Sequence, residues 1–148
     1  MITRQQIIDT ARSYIGVPYA QQGRSREIGL DCVGLLIKIA HDTGYSDFDF
    51  LAYGSNPDGE TMERLLGEQL DRLEFIDQAQ EGDVISMDFG GGEQHVGVLS
   101  KMSPKGIKYS YMIHALRDHG VVEGRPFGKY LRSIRGAYRL KGIVDVQG

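Results

Sequence analysis

An α+β architecture, with helices in the first half and an antiparallel sheet after them, is predicted by three features of the chain. Apolar residues recur at helical spacing near the N-terminus and again from Met62, and they change to strict alternation from Ile85 onward. Between these lies one run, Cys32 to His41, that is apolar on nearly every side, as a central helix packed all round must be.

Taken in order, Thr3 and Gln6 have the spacing of a capping box, and Ile7, Ile8, Ala11, Tyr14 and Ile15 follow as a stripe ended by Gly16 and Pro18. This predicts a first helix over residues 4–15. The polar, glycine-containing stretch to Gly29 reads as a loop that could wall a cleft. The central helix then starts near Cys32 and stops at Gly44, so its scaffold is buried and its N-terminal tip is left open. Residues 45–59 are aromatic, acidic and turn-rich, and Asn56-Pro57-Asp58-Gly59 marks a turn before a third helix faced by Met62, Leu65, Leu66, Leu70 and Leu73.

Beyond that helix the period becomes two. Ile85, Met87 and Phe89 alternate with Ser86 and Asp88, Gly90-Gly91-Gly92 reads as a turn, and His95 to Ser100 supplies the partner strand of a hairpin. Residues 107–114 alternate as well, with His114 on the less apolar side. His95 shares its side with Gly97 and Leu99, so two neighbouring strands would bring both histidines to one sheet face. Val121-Val122 and Ile134 to Leu140 predict further short strands. No repeat, heptad series or linker divides the chain, and residues 1–148 are expected to form one domain able to bury about two-thirds of its unfolded surface.

Composition excludes several classes of partner. Apolar residues at 41% and charged residues at 25% are ordinary for a folded globular chain. A net charge of −3 gives no broad basic surface, so binding to nucleic acid by phosphate neutralisation is not expected. Arginines 117, 125, 132, 135 and 139 read as a solvated face, with an anionic polymer as the other reading. One cysteine permits no internal disulfide. No secretory signal or membrane-length apolar run is seen, which predicts cytoplasmic synthesis without a signal peptide.

The chemistry-bearing residues are few. A cysteine at a helix start faces the positive end of the helix dipole and unpaired N–H groups, which favour thiolate, the nucleophilic form. The competing reading of Cys32 is a small buried apolar residue. His95 and His114 read either as a base and its partner or as hydrogen-bonded sheet histidines. Asp31 would raise the thiol pKa by its charge alone, but as a helix N-cap it would spend that charge on N–H groups of the first turn. Recognition of a substrate amine is its second reading. His41 reads as a dipole partner at a helix end and His119 as a turn residue. Gly90-Gly91-Gly92 lacks the lysine and helix of a phosphate loop, so no nucleotide cofactor is expected.

Five short blocks occur in one order: Gly16-Val17-Pro18-Tyr19, Leu30-Asp31-Cys32-Val33-Gly34-Leu35, Glu81-Gly82-Asp83-Val84-Ile85, His95-Val96-Gly97-Val98 and Ile113-His114-Ala115. Together they resemble the NlpC/P60 family of papain-like cysteine peptidases. The resemblance implies Cys32 as nucleophile at a helix N-terminus, His95 as general base and His114 as the residue that orients it. It places Tyr19 at the oxyanion, and implies no metal or cofactor. The implied function is hydrolysis of an amide in peptidoglycan stem peptides, at the D-glutamyl–diamino acid link. A short member without a signal is similar to phage-encoded relatives, which implies phage tail proteins as partners and action at the cell wall from a virion tail.

Two departures bear on that expectation. Val33 stands where many relatives have serine, and Gln22-Gly23-Arg24-Ser25-Arg26 replaces the usual paired glycines. Three other readings stay open: a zinc-dependent hydrolase using Cys32, His95, His114 and His119, a non-catalytic structural tail module, and an acyltransferase sharing the thioester step.

Overall fold

The computed structural model describes residues 1–51, 53 and 59–145. Helix α1 (Arg4–Arg12) begins at the Thr3 cap, where the Thr3 hydroxyl accepts from the Gln6 N–H and the Gln6 side chain accepts from the Thr3 N–H. It ends three residues earlier than its apolar stripe predicts. Ser13 bonds back to the Thr10 carbonyl through both its N–H and its hydroxyl, and the next N–H groups reach back only three residues, so the last turn tightens.

Residues 24–29, expected as loop, fold with Leu30 into a small hairpin of β1 (Arg24–Ser25) and β2 (Gly29–Leu30) that leads directly into α2 (Cys32–Thr43). Gly44 closes α2 in the left-handed conformation, φ +75°, as its position predicts. Helix α3 (Gly59–Gln69) buries Met62 and Leu66. The predicted turn at Asn56, Pro57 and Asp58 lies outside the described residues. Leu73 does not extend the apolar face of α3, because the chain has already turned into β3 (Asp71–Arg72).

The remaining strands are β4 (Val84–Asp88), β5 (Glu93–Lys101), β6 (Tyr111–Leu116), β7 (Gly120–Gly124) and, after a short helix α4 (Gly128–Arg132), β8 (Ile134–Arg139). They make a six-stranded antiparallel sheet in the order β3-β8-β4-β5-β6-β7. The β4–β5 turn works through Asp88, whose Oδ1 accepts from the N–H groups of Gly90, Gly91 and Gly92. Residues 107–109 are a 3-10 turn rather than strand. Ser110 donates to the Gly106 carbonyl and accepts from the Ser103 N–H, which curls the segment despite its alternating pattern.

Helices α1, α2 and α3 cover one sheet face around Leu35, Ile39, Leu66, Val96, Val98 and Ile113. A smaller apolar cluster of Ile85, Met87, Leu99, Met112 and Ala137 lies on the other face. The Glu81-Gly82-Asp83 block is structural: the fully buried Asp83 carboxylate is gripped by Arg4 from α1 and Arg139 from β8. Part of the basic C-terminal third is likewise spent locally, with Arg135 paired to Asp88 and Arg125 lying over Tyr109. Among the described residues no helix is long and apolar enough to cross a membrane.

Candidate active site

Asp31 is the N-cap of α2 and accepts from the Gly34 N–H at 2.7 Å, which sets Cys32 as the first helical residue. Gly34 is required here, because a Cβ at that position would come within 2.2 Å of the Gly23 carbonyl oxygen. The sulfur of Cys32 is ringed by backbone N–H donors of Cys32, Val33 and Val96. Val96 lies on β5 where that strand is no longer paired with β6: the ladder between the two runs only from Val98↔Ile113 to Lys101↔Tyr111. The tip of α2 meets the sheet at this opening.

The register places His95, Gly97 and Leu99 of β5 on the same face as Met112 and His114 of β6. His114 stands opposite Gly97, and His95 is its diagonal neighbour. The ring of His95 approaches His114 with its Nε2 3.0 Å from Nδ1 of the second ring. Both rings are buried, at 6% and 2% exposure. Gly97 makes room for this pair, since a Cβ there would sit 3.0 Å from the His114 Cβ. Gly97→Val is therefore expected to press on His114 and to cost about 1–3 kcal/mol, read as a lowered denaturation midpoint.

A cavity of about 100 Å³ brings the separate elements together: Tyr19, Asp31, Cys32, His95, Arg117, Lys129 and Tyr130 all line it. Of the residues expected from sequence, Cys32, His95, Tyr19 and Asp31 share this cavity, and His114 sits directly behind His95. The exposed His119 lies in the β6–β7 turn, and His41 bonds the Phe48 carbonyl at the end of α2. Among the described residues no group of three or more His, Cys, Asp or Glu side chains is arranged to hold a metal ion.

Electrostatics depart from the expectation of a ready thiolate. Burial, and then the Asp31 charge, push the Cys32 thiol up to about 12, and the N–H donors around the sulfur offset this only in part. The helix end is present, but desolvation outweighs it. Burial, then His114 and Lys129, hold the His95 imidazole well below its ordinary value. At neutral pH the site therefore rests as neutral thiol and neutral imidazole.

His114 is pushed down to about 4 by burial. An unfolded chain takes up this proton near pH 6.5 and the folded one only near pH 4, so stability is complete above the first value and falls between the two. The full loss is about 3 kcal/mol, from 1.36 kcal/mol per pH unit of separation. Denaturation followed from pH 7 to pH 4 is expected to show this decline, with a shallower one in His114→Gln. A midpoint constant across that interval contradicts it.

Sequence reasoning missed the residues that hold the tip of α2. Both Asp31 oxygens are occupied: Oδ1 by the Gly34 N–H and Arg24, Oδ2 by the Gln22 N–H and the Tyr53 hydroxyl, each of the latter at 2.7 Å. Gln22 adopts φ +58°, a left-handed conformation rare for a residue with a side chain, and its amide donates to the carbonyls of Leu51 and Tyr53. The unusual Gln22–Arg26 segment thus binds Asp49, Phe50, Leu51 and Tyr53 to the Asp31 cap. Tyr53, 22 residues from Asp31, carried no local signal. Nor did α4, whose Tyr130 packs on both histidines.

The comparisons with known proteins agree with this architecture. The family model described as NlpC/P60 family matches residues 16–141. No curated protein matches the sequence. Among solved structures, the NlpC/p60 domain of the peptidoglycan hydrolase SagA aligns with a TM-score of 0.61 at 19% identity, covering 94% of this chain and 100% of that one. A Staphylococcus aureus protein described as similar to a lipoprotein of the NLP/P60 family aligns at 0.61 and 22% identity, over 93% of this chain and 41% of that one. NlpC2 from Trichomonas vaginalis aligns at 0.62 and 14% identity, over 93% and 46%. This chain thus spans less than half the length of the last two. Helices packed on an antiparallel sheet are the fold these proteins share, and with the family model spanning most of the sequence, the chain belongs to the NlpC/P60 family.

Proposed function

We propose that this protein is a cysteine peptidase that hydrolyses an amide bond in peptidoglycan stem peptides, with Cys32 as nucleophile, His95 as general base and His114 orienting His95. The observation that carries the reading is the 3.0 Å contact between His95 Nε2 and His114 Nδ1, made behind a cavity that Cys32 also lines. With Nε2 engaged, Nδ1 is the nitrogen available to the thiol. A base at Nδ1 puts the proton on Nε2, which donates to His114 Nδ1 and leaves the His114 proton on its Nε2.

The neutral resting pair suits general-base attack. Burial opposes thiolate and imidazolium separately, whereas moving one proton from sulfur to Nδ1 creates no net charge. Transfer therefore accompanies attack of sulfur on the carbonyl carbon. The backbone N–H groups near the sulfur and the hydroxyl of Tyr19 supply donors for the oxyanion, a type of group whose loss costs about 10²–10³ in rate. As the C–N bond breaks, the amine leaves with the proton from His95. Water then gives a proton to His95 and its oxygen to the thioester, releasing a carboxylate and restoring the thiol.

The SagA domain, whose name describes a peptidoglycan hydrolase, matches along its whole length and supports this substrate class. The finer reading is cleavage between D-glutamate and the diamino acid, and Arg117 and Lys129 at the cavity suit a substrate with carboxylates beside the scissile bond. A phage-tail setting rests on the sequence resemblance and is tested by searching purified tails for the chain. Incubation with muropeptides, followed by mass spectrometry, is expected to give two products that together weigh one water more than the substrate, with the break after D-glutamate. A chelator is expected to leave the rate unchanged, against the zinc reading. Intact muropeptides after prolonged incubation would overturn the proposal.

A further inference from the structure

Helix α4 has five residues and lies between β7 and β8, outside every sequence block that suggested chemistry. It delivers an aromatic ring to the histidine pair. The Tyr130 ring centroid lies 4.9 Å from that of His95 at 58°, and 5.7 Å from that of His114 at 78°. Phe89, just past the end of β4, packs against both, 6.2 Å from His95 and 5.6 Å from Tyr130, and Phe127 meets Tyr130 edge-on at 6.2 Å. Phe89 and Phe127 are 37% and 57% exposed, so the outer aromatics face solvent while the imidazoles behind them do not.

We propose that Tyr130 is a positioning residue: its ring, braced by Phe89 and Phe127, fixes the His95 imidazole against His114 and keeps water from the pair. Contacts at these distances and tilts are favourable aromatic geometries, each worth about 0.5–1.5 kcal/mol beyond burial, enough to select one ring orientation. The ring and not the hydroxyl carries the role, since among the described residues no hydrogen bond reaches the Tyr130 oxygen. Lys129, on the neighbouring position, lies 4.9 Å from the Phe89 centroid and 5.5 Å from that of Tyr130, so the same helix places a cation beside the site.

The inference rests on the proposed peptidase reading for its kinetic consequences, but not for its structural ones. The titratable and charged groups that share the cavity with His95 or pack behind it are Asp31 and Cys32 at the tip of α2, His114 and Arg117 on and after β6, Lys129 and Tyr130 on α4, and Tyr19 and Tyr53. Removing the ring admits water to His95 and relieves the desolvation that keeps it neutral. Its proton affinity then rises toward the ordinary value.

The test compares Tyr130→Ala and Tyr130→Phe with the unaltered protein by kinetics and by NMR titration of the imidazole nitrogens. Tyr130→Ala is expected to lower kcat about tenfold to a hundredfold, with KM changed by less than about threefold, as expected when a reacting group is misplaced rather than removed. Its acid limb in kcat/KM moves to higher pH. Tyr130→Phe is expected to restore both kcat and the acid limb. By NMR, His95 titrates at higher pH in Tyr130→Ala and stays neutral to lower pH in the phenylalanine variant and the unaltered protein. The NMR arm needs no turnover, so absent hydrolysis would refute the peptidase reading alone. An unshifted His95 titration in a folded Tyr130→Ala, or a phenylalanine variant as impaired as the alanine one, would overturn the role given to Tyr130.

Discussion

Cys32→Ala is expected to abolish stem-peptide hydrolysis while the protein keeps its fold. With the nucleophile gone, His95 and the oxyanion donors have no covalent step to assist. Such members of a catalytic unit fail together, and losses on the order of 10⁴-fold or more in kcat follow removal of the attacking atom. The structural consequence is small, because one sulfur is removed from a buried residue, where it lies against backbone donors. A change within about 1 kcal/mol moves the melting temperature of a chain this long by no more than about 4 °C. Initial rates on muropeptides and thermal denaturation, run on one preparation, check both halves. Activity in the alanine variant equal to that of the unaltered protein would refute the mechanism.

Asp31→Ala is expected to be the most damaging change to the fold near the site. It orphans the Gly34 and Gln22 N–H groups, the Tyr53 hydroxyl and part of the Arg24 guanidinium at once. Removing one partner of a buried charge pair costs about 3–5 kcal/mol, a fall of roughly 6–20 °C in melting temperature. Tyr53 is tied to α2 through these bonds, and Asp49 and Phe50 through Arg24, so activity is expected to fall with stability. Asp31→Asn keeps an acceptor for the helix cap and is expected to recover part of the loss. It also removes the negative charge that helps hold the Cys32 thiol up, so alkylation of Cys32 by iodoacetamide is expected to be faster than in the unaltered protein. Melting of Asp31→Ala at the temperature of the unaltered protein would contradict the clamp.

What the sequence made legible follows the range of the forces involved. The Asp31 cap and the Gly44 stop are local, set by hydrogen bonds three or four residues away, and both stand where spacing placed them. The meeting of His95 and His114 was readable because alternation assigns faces, and Gly97 between them leaves the rings room. Local pattern misled where a side chain captured the backbone, as Ser110 does at residues 107–109 and Ser13 does at the end of α1. Of the causes that raise the thiol pKa, the Asp31 charge was legible but the larger one was not, since burial is a property of the assembled cavity. Tyr53 and Tyr130 reach the site across long sequence separations, from segments without a periodic signal, and Arg24, though only seven residues from Asp31, comes from a segment that read as loop.

The covalent step itself is open to direct observation. Acid quenching of a reaction with stem peptide, followed by proteolysis and mass spectrometry, is predicted to find the acyl fragment on the peptide that contains Cys32. Continuing turnover with that peptide unmodified, and an undiminished rate in Cys32→Ala, would contradict the account.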